Sequence, residues 1–305
     1  MRTLSFSVTE DYNGRKVLHF LRGSAGLSTK LIRRLKTIDN GILLNGQHAR
    51  TIDLLHTGDT LTVSLPEDRN MVSAEGFDPD ALEILYEDDD LIAVNKPADL
   101  AIHPSHNHQG DTLANLLAAH LAKEGKQAVF RAVGRLDKGT SGIVVCALNA
   151  YAAARLQARI DKTYYAIPSG RYEGSGTIDA PIYRPDPIKT IRTVDPRGDH
   201  AVTHWTALAT GEAESLVEVK LETGRTHQIR VHFASLGTPL VGDYLYGTPL
   251  PEMQHQALHC GKATFVHPYT GEEICLEAPF PADFVALLDH LESPDVVSKL
   301  GPITK

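Results

Sequence analysis

The first pattern along the chain is helical. Val17, Leu18, Phe20 and Leu21 form one apolar stripe. Ser28, a residue type that accepts backbone N–H bonds at helix starts, then opens the run STKLIRRLK. In that run Leu31, Leu35 and Ile38 share one face, and Lys30, Arg33, Arg34 and Thr37 share another. Asn40-Gly41 marks a turn into ILLNG, and the alternation in TGDTLTVSL predicts a strand. Residues 11–66 therefore read as a compact unit, two helices followed by short strands. The polar run 67–80 has no periodicity and reads as a linker. The chain divides on this reading into a small unit, 1–70, a linker, 71–80, and a large body, 81–305.

From residue 81 strands and helices alternate. ILYEDDDLIAVNKP predicts a hairpin whose turn carries the acids Glu87 to Asp90. TLANLLAAHLAK predicts an amphipathic helix. SGIVVCAL is apolar throughout, as a strand buried on both faces must be, and a helix through NAYAAARLQARI follows. After KTYYAIPSG come β-like runs at THWTALAT, SLVEVKLET, ATFVHP and EEICLEAP, several of them divided by Gly- or Pro-bearing turns. Strands with interspersed helices predict an α+β fold.

Composition adds little to this picture until charge is divided along the chain. With 305 residues, 42% hydrophobic and 22% charged, the protein has ample material for a core. The formal charge of −8 is not that of a phosphate-gripping protein. Residues 1–70, however, hold 10 Lys/Arg against 7 Asp/Glu, so a basic head sits on an acidic body. The basic face of Lys30, Arg33 and Arg34 lies in that head, which favours an RNA contact over a merely solvated helix face. No apolar run reaches the roughly 18 residues of a membrane span. The opening MRTLSFSVTEDYNGRK has charges where an export signal needs an apolar core. Three cysteines without a CxxC pair point to a reducing compartment, so a cytoplasmic protein is expected, acting as a monomer.

The segment richest in candidate chemistry is RAVGRLDKGTSGIVVCA, residues 131–147. Asp137 lies there in a polar turn ahead of a core strand, with small residues behind it that allow close approach. Taken alone, such an aspartate is better explained by a turn capping its own loop than by catalysis. The stretch resembles the R-L-D-x-x-T-S-G signature of the RNA pseudouridine synthases that modify large ribosomal RNA and some tRNAs. The likeness continues in order: the ILYEDDDLIAVNKPADLAIHP hairpin, the strand Lys162-Thr163-Tyr164-Tyr165-Ala166, the segment TGRTHQIRVHFASLGTPLVGDYLYG, and the closing ALHC…FVHPYTGE. Residues 11–66 are similar to the small α-L RNA-binding module that many members carry ahead of the catalytic domain.

The resemblance implies a mixed, mostly antiparallel sheet with flanking helices, and a cofactor-free, metal-free isomerisation of uridine in RNA. Large-subunit ribosomal RNA is the first substrate it implies and tRNA the second. Asp137 would be the nucleophile and Tyr164 would stack on the flipped uracil. Arg135 would fill the RNA stack where the uridine had been, a role suited to a flat guanidinium. Arg225 would pair with Asp137, because a cation beside a sheltered carboxyl favours its ionised form. Three positions depart from the pattern: Gly134 replaces a frequent histidine, Asp99 replaces a glycine in NKPADL, and His200 replaces a lysine. The head is expected to move on its linker.

Other chemistries fit less well. His103, His106 and His108 match no zinc spacing, and His227 with His232 read as structural hydrogen-bonding residues. Neither Ser141 nor Cys146 sits in a nucleophile elbow. A decayed synthase acting as a ribosome-assembly factor would be expected to lack Asp137, Tyr164 or Arg225, and all three are present.

Overall fold

The computed structural model describes residues 2–66, 72–104, 110–126, 129–157, 159–251, 253–288 and 291. The predicted linker's Met71, together with His106, His108 and the C-terminal 292–305, lies outside the described residues.

The head is built on strand β1 (Thr3–Ser7), helices α1 (Val17–Arg22) and α2 (Thr29–Leu35), and strands β2 (Ile42–Leu44), β3 (Gln47–His48) and β4 (Thr60–Ser64). Its four-stranded sheet runs β1-β4-β2-β3 and encloses a core that includes Val17, Phe20, Leu21, Leu31, Leu35 and Leu61. The Ser28 hydroxyl accepts the Leu31 N–H at 3.2 Å and starts α2. The helix stops at Leu35, short of the predicted Ile38. Gly41 explains the early stop: a Cβ there would lie 2.1 Å from the Leu35 carbonyl oxygen, so only glycine lets the chain turn this tightly over the helix end.

The body contains β5 (Glu83–Glu87), β6 (Leu91–Lys96), α3 (Leu113–Lys123), β7 (Arg131–Val133), β8 (Ser141–Ala147), α4 (Ala150–Leu156) and β9 (Asp161–Ala166). It continues through β10 (Ser175–Asp179), β11 (Ile182–Tyr183), β12 (Thr193–Val194), β13 (Val202–Thr210) and β14 (Ser215–Leu221). It ends with α5 (Gln228–Ser235), β15 (Leu258–Val266), β16 (Glu273–Glu277) and α6 (Ala282–Leu288).

Among the described residues ten strands form one sheet, ordered β10-β13-β14-β9-β15-β8-β6-β5, with β16 on β15 and β7 on β8. All its pairings are antiparallel except that of β15 with β8. This is the α+β, mostly antiparallel architecture expected. Strand β8 is buried at all seven positions, which is why its sequence is apolar without alternation. Its start needs Gly142: φ is +104° and a Cβ would lie 2.2 Å from the Cys260 carbonyl oxygen. The crossing of β8 and β15 thus fixes the end of the turn that carries Asp137.

Candidate active site

The turn 134–140 hangs between β7 and β8 at the mouth of a cleft of about 620 Å³. Leu136 is buried in the core cluster, whereas Arg135 is exposed and Asp137 half-exposed, and both of these line the cleft. The Thr140 N–H closes the turn on the Asp137 carbonyl at 3.1 Å, and Gln256 Nε2 donates to Thr140 Oγ1 at 2.8 Å. From below, Lys96 at the end of β6 ties the turn down. It is fully buried, and its Nζ donates to the carbonyls of Pro97, at 2.8 Å, and Lys138, at 2.9 Å. Burial pulls its amine down to about 7, against the opposing pull of Asp99 and Asp137.

The expected partner of Asp137 is not the one found. Arg225 stands on the cleft rim, where its Nε donates to the His200 carbonyl at 3.0 Å and its guanidinium lies 3.6 Å from Asp199. The cation that reaches Asp137 is Arg230, whose Nη1 donates to Asp137 Oδ2 at 3.3 Å. The reason is helical geometry: Arg225 precedes α5 on an exposed turn, whereas Arg230 lies on the helix face that packs inward.

Arg230 is itself held. Asp243, wholly buried, accepts Nε at 2.7 Å and Nη2 at 2.8 Å, a two-pronged grip that fixes the guanidinium plane. Asp243 in turn accepts the N–H groups of Leu245 and Tyr246, and the Tyr246 ring lies 5.2 Å from the guanidinium carbon. Burial opposes the Arg230 charge, but the Asp243 hydrogen bonds and the two carboxylates more than offset it, so its pKa is driven further up. Sequence reasoning missed Arg230 and Asp243, although both stand in the RTHQIR…GDYLYG segment it quoted.

Two further side chains meet Asp137. Tyr164, on β9, lines the cleft with only 8% of its surface exposed, and burial pushes its phenol well up, with Cys260 and Asp137 adding to the shift. It remains a phenol at neutral pH, suited to packing and donation and not to service as a standing base. His227 caps α5 in a left-handed conformation, with φ +58°. Its Nδ1 pairs with the Tyr246 hydroxyl at 2.8 Å and its Nε2 lies 4.0 Å from Asp137 Oδ2. Burial lowers its pKa, against the pull of Asp137, which leaves a neutral imidazole here. His232 bonds Thr203 and the Ala180 carbonyl, a structural role.

The three departures from the family pattern are explained locally. Gly134 has φ +71°, and its carbonyl accepts Lys162 Nζ at 2.8 Å, so glycine suits the position. Asp99 itself takes φ +60°, keeping the left-handed turn that glycine would make. His200 supplies its carbonyl to Arg225, and its ring lies 3.3 Å from Asp179.

Lys30 and Arg34 of α2 line a second hollow with Arg131, Ala153 and Gln157, and the last two also line the cleft. Arg33 faces away from the head core, exposed. Two carboxylate–histidine clusters outside the cleft each have their own counter-charge. Lys126 bonds Glu87 and Glu124 beside His120, and Arg2 bonds Asp90 beside Asp88 and His267.

Comparison with known proteins agrees with this geometry. The RNA pseudouridylate synthase family model matches residues 90–235. The uncharacterized RNA pseudouridine synthase YhcT of Bacillus subtilis is 40% identical over 292 residues, covering 92% of this chain and 95% of that protein. The ribosomal large subunit pseudouridine synthase D of Pseudomonas aeruginosa is 38% identical over 273 residues, covering 83% of this chain and 84% of its own. Among solved structures, the human RNA pseudouridylate synthase domain containing 1 protein aligns with a TM-score of 0.57 at 27% identity, over 75% of this chain and 98% of that one. No described helix is long and apolar enough to cross a membrane. Full-length similarity to named synthases, together with an aspartate turn, a buried tyrosine and a clamped arginine around one cleft, places the chain in the RNA pseudouridine synthase family.

Proposed function

We propose that the protein isomerises uridine to pseudouridine in large-subunit ribosomal RNA, with Asp137 as the nucleophile. The observation that carries the reading is the Asp243–Arg230–Asp137 chain at the cleft wall. A carboxylate held at the edge of a cavity by a pre-fixed guanidinium keeps its direction without reorganisation. In the reaction the bond from uracil nitrogen 1 to ribose carbon 1′ breaks and a bond from carbon 5 to the same carbon forms. Nitrogen 1 ends with a proton and carbon 5 gives one up, so no redox partner is needed.

Tyr164 stacks on the flipped uracil, and Arg135, exposed beside the aspartate, enters the RNA stack in its place. Flipping costs a few kcal/mol, offset by contacts in the pocket. Residues 1–70 act as an α-L RNA-binding module, with Lys30, Arg33 and Arg34 on phosphates, residues 71–80 as a linker, and 81–305 as the catalytic domain. The chain acts as a monomer in the cytoplasm, and the free thiols of Cys146, Cys260 and Cys275 support that compartment.

The test is tritium release from RNA labelled at uracil carbon 5, comparing wild type with Asp137→Asn. Release by wild type from ribosomal RNA and not from bulk tRNA, with none from the variant, is expected. Release from tRNA alone would replace the substrate, and binding without release from either RNA would replace the enzyme by an assembly factor.

A further inference from the structure

Strands β11 and β12 form a small hairpin whose loop, 184–192, reads RPDPIKTIR. Its base is tied to the active site. Ile182 and Val194 pack with Val231 of α5, the helix that carries Arg230. The Arg192 N–H donates to the Tyr246 hydroxyl at 2.9 Å, and that hydroxyl pairs with His227 beside Asp137. The charge of Arg192 is among the causes that lower the His227 pKa.

The tip of this loop does the opposite of what an apolar residue ordinarily does. Ile188 is 90% exposed, the most of any large apolar side chain among the described residues, and Ile191 nearby is 39% exposed. A lone exposed isoleucine needs no explanation. This one is presented by a loop that is already fixed. Asp186 Oδ1 accepts the Ile188 N–H at 2.8 Å, Arg184 Nε donates to the Lys189 carbonyl at 3.1 Å, and Arg192 Nη1 donates to the carbonyls of Thr190 and Ile191. Pro185 and Pro187 fix two φ angles beside the tip. Ordering entropy is thus spent in folding, before any partner arrives. Around the isoleucine stand Arg184, Lys189 and Arg192, on a body whose overall charge is acidic. The single acid, Asp186, has one oxygen turned to its own backbone.

An apolar tip between cations, rooted on the helix that holds the arginine of the cleft, has the chemistry of a wedge for stacked nucleic acid. Apolar wedges unstack bases, and the flanking cations hold the phosphates on either side. We propose that Ile188 inserts against a base near the target uridine and prises the stack open, while Arg184 and Lys189 grip the adjacent backbone. The inference rests on the RNA-isomerase reading, and it adds a second point of entry into the RNA, opposite in character to the Arg135 side.

The test uses the full chain carrying Asp137→Asn, which holds RNA without turnover, on an unmodified transcript of large-subunit ribosomal RNA. Wild type, run in parallel, maps the modified uridine, and a 2′-hydroxyl acylating reagent reports unstacked nucleotides around it. With Ile188 present, a neighbour of the target becomes reactive. With Ile188→Ala that reactivity is lost and the dissociation constant rises about tenfold, of the order set by losing burial of a branched side chain. Ile188→Leu restores both, and the melting temperature is unchanged throughout. Equal reactivity and equal affinity for Ile188→Ala, on an RNA that wild type does modify, would overturn the wedge. Absence of modification by wild type overturns the isomerase reading instead.

Discussion

Arg230 stands between two carboxylates, and its two contacts predict different losses. The grip on Asp243 is wholly buried, so Arg230→Gln leaves an uncompensated charge in the core and should cost about 3–5 kcal/mol of stability. The contact with Asp137 is cleft-facing, and its loss should lower kcat by about a hundredfold or more. Adding Asp243→Asn separates the two: urea denaturation should show stability returning while tritium release stays low. Arg230→Lys should not rescue activity, because an ammonium cannot hold the Asp243 fork and reach Asp137 together. Arg225→Gln, by contrast, breaks only exposed contacts. It should change stability by less than about 0.5 kcal/mol and leave kcat within a few-fold of wild type. A hundredfold fall in kcat for Arg225→Gln would return that arginine to the catalytic role. The sequence could not choose between these arginines. RTHQIR offers both, and the deciding fact is where helix α5 begins. That start is hidden because it falls on His227 in a left-handed conformation. Gln228 to Phe233 are all buried, with the polar Gln228, Arg230 and His232 alternating with Ile229, Val231 and Phe233, so α5 offers no single apolar stripe to read.

Where elements bury what the pattern expects, the sequence was legible. The hairpin of β5 and β6, the uninterrupted apolar run of β8, and helices α3 and α4 all follow from apolar spacing. Strand β1 was missed: TLSFS is short and, as an edge strand paired only with β4, it carries few apolar positions. Lys96 was also illegible as a buried residue, since a lysine closing an apolar strand reads as its solvated end. Its position has a consequence for folding. The unfolded chain keeps this lysine protonated up to about pH 10.4, whereas in the fold its pKa is about 7. Above pH 7 the unfolded state therefore binds more protons than the folded one, and stability should rise with pH. The slope should approach about 1.4 kcal/mol per pH unit between pH 7 and 8.5. At higher pH the buried thiols of Cys146 and Cys260, whose pKa values are raised by burial, add the opposite sign. Lys96→Met should flatten that slope in urea titrations, and an unchanged slope would refute the assignment.

At the scale of the whole molecule the question is how the basic head meets the acidic body. Sequence alone suggested a head free to move on its linker. In the structure it is seated: Arg2 bonds Asp90 at 2.5 Å and Asp89 at 3.3 Å, and its guanidinium carbon lies 4.6 Å from the Tyr269 ring centroid. Tyr151, from α4 of the body, packs into the head's own core and against Tyr269. Asp90 is nearly fully buried and also accepts Asn149 Nδ2, so it is a fixed acceptor and not a solvated surface charge. A seated head sets the distance between Lys30 and Arg34 and the cleft, because the hollow they line shares Ala153 and Gln157 with it. Arg2→Glu reverses the contact by placing an acid against two others, and so should unseat the head without touching the turn that carries Asp137. Small-angle scattering should then show a longer maximum dimension, and hydrogen exchange should rise around Tyr151. KM for ribosomal RNA should climb about tenfold or more while kcat holds, since only the pre-set geometry of binding is lost. If scattering and KM both stay at their wild-type values, the aromatic contact of Tyr151 alone holds the seat, and the Arg2 ion pair is ornament on an interface that hydrophobic burial already fixes.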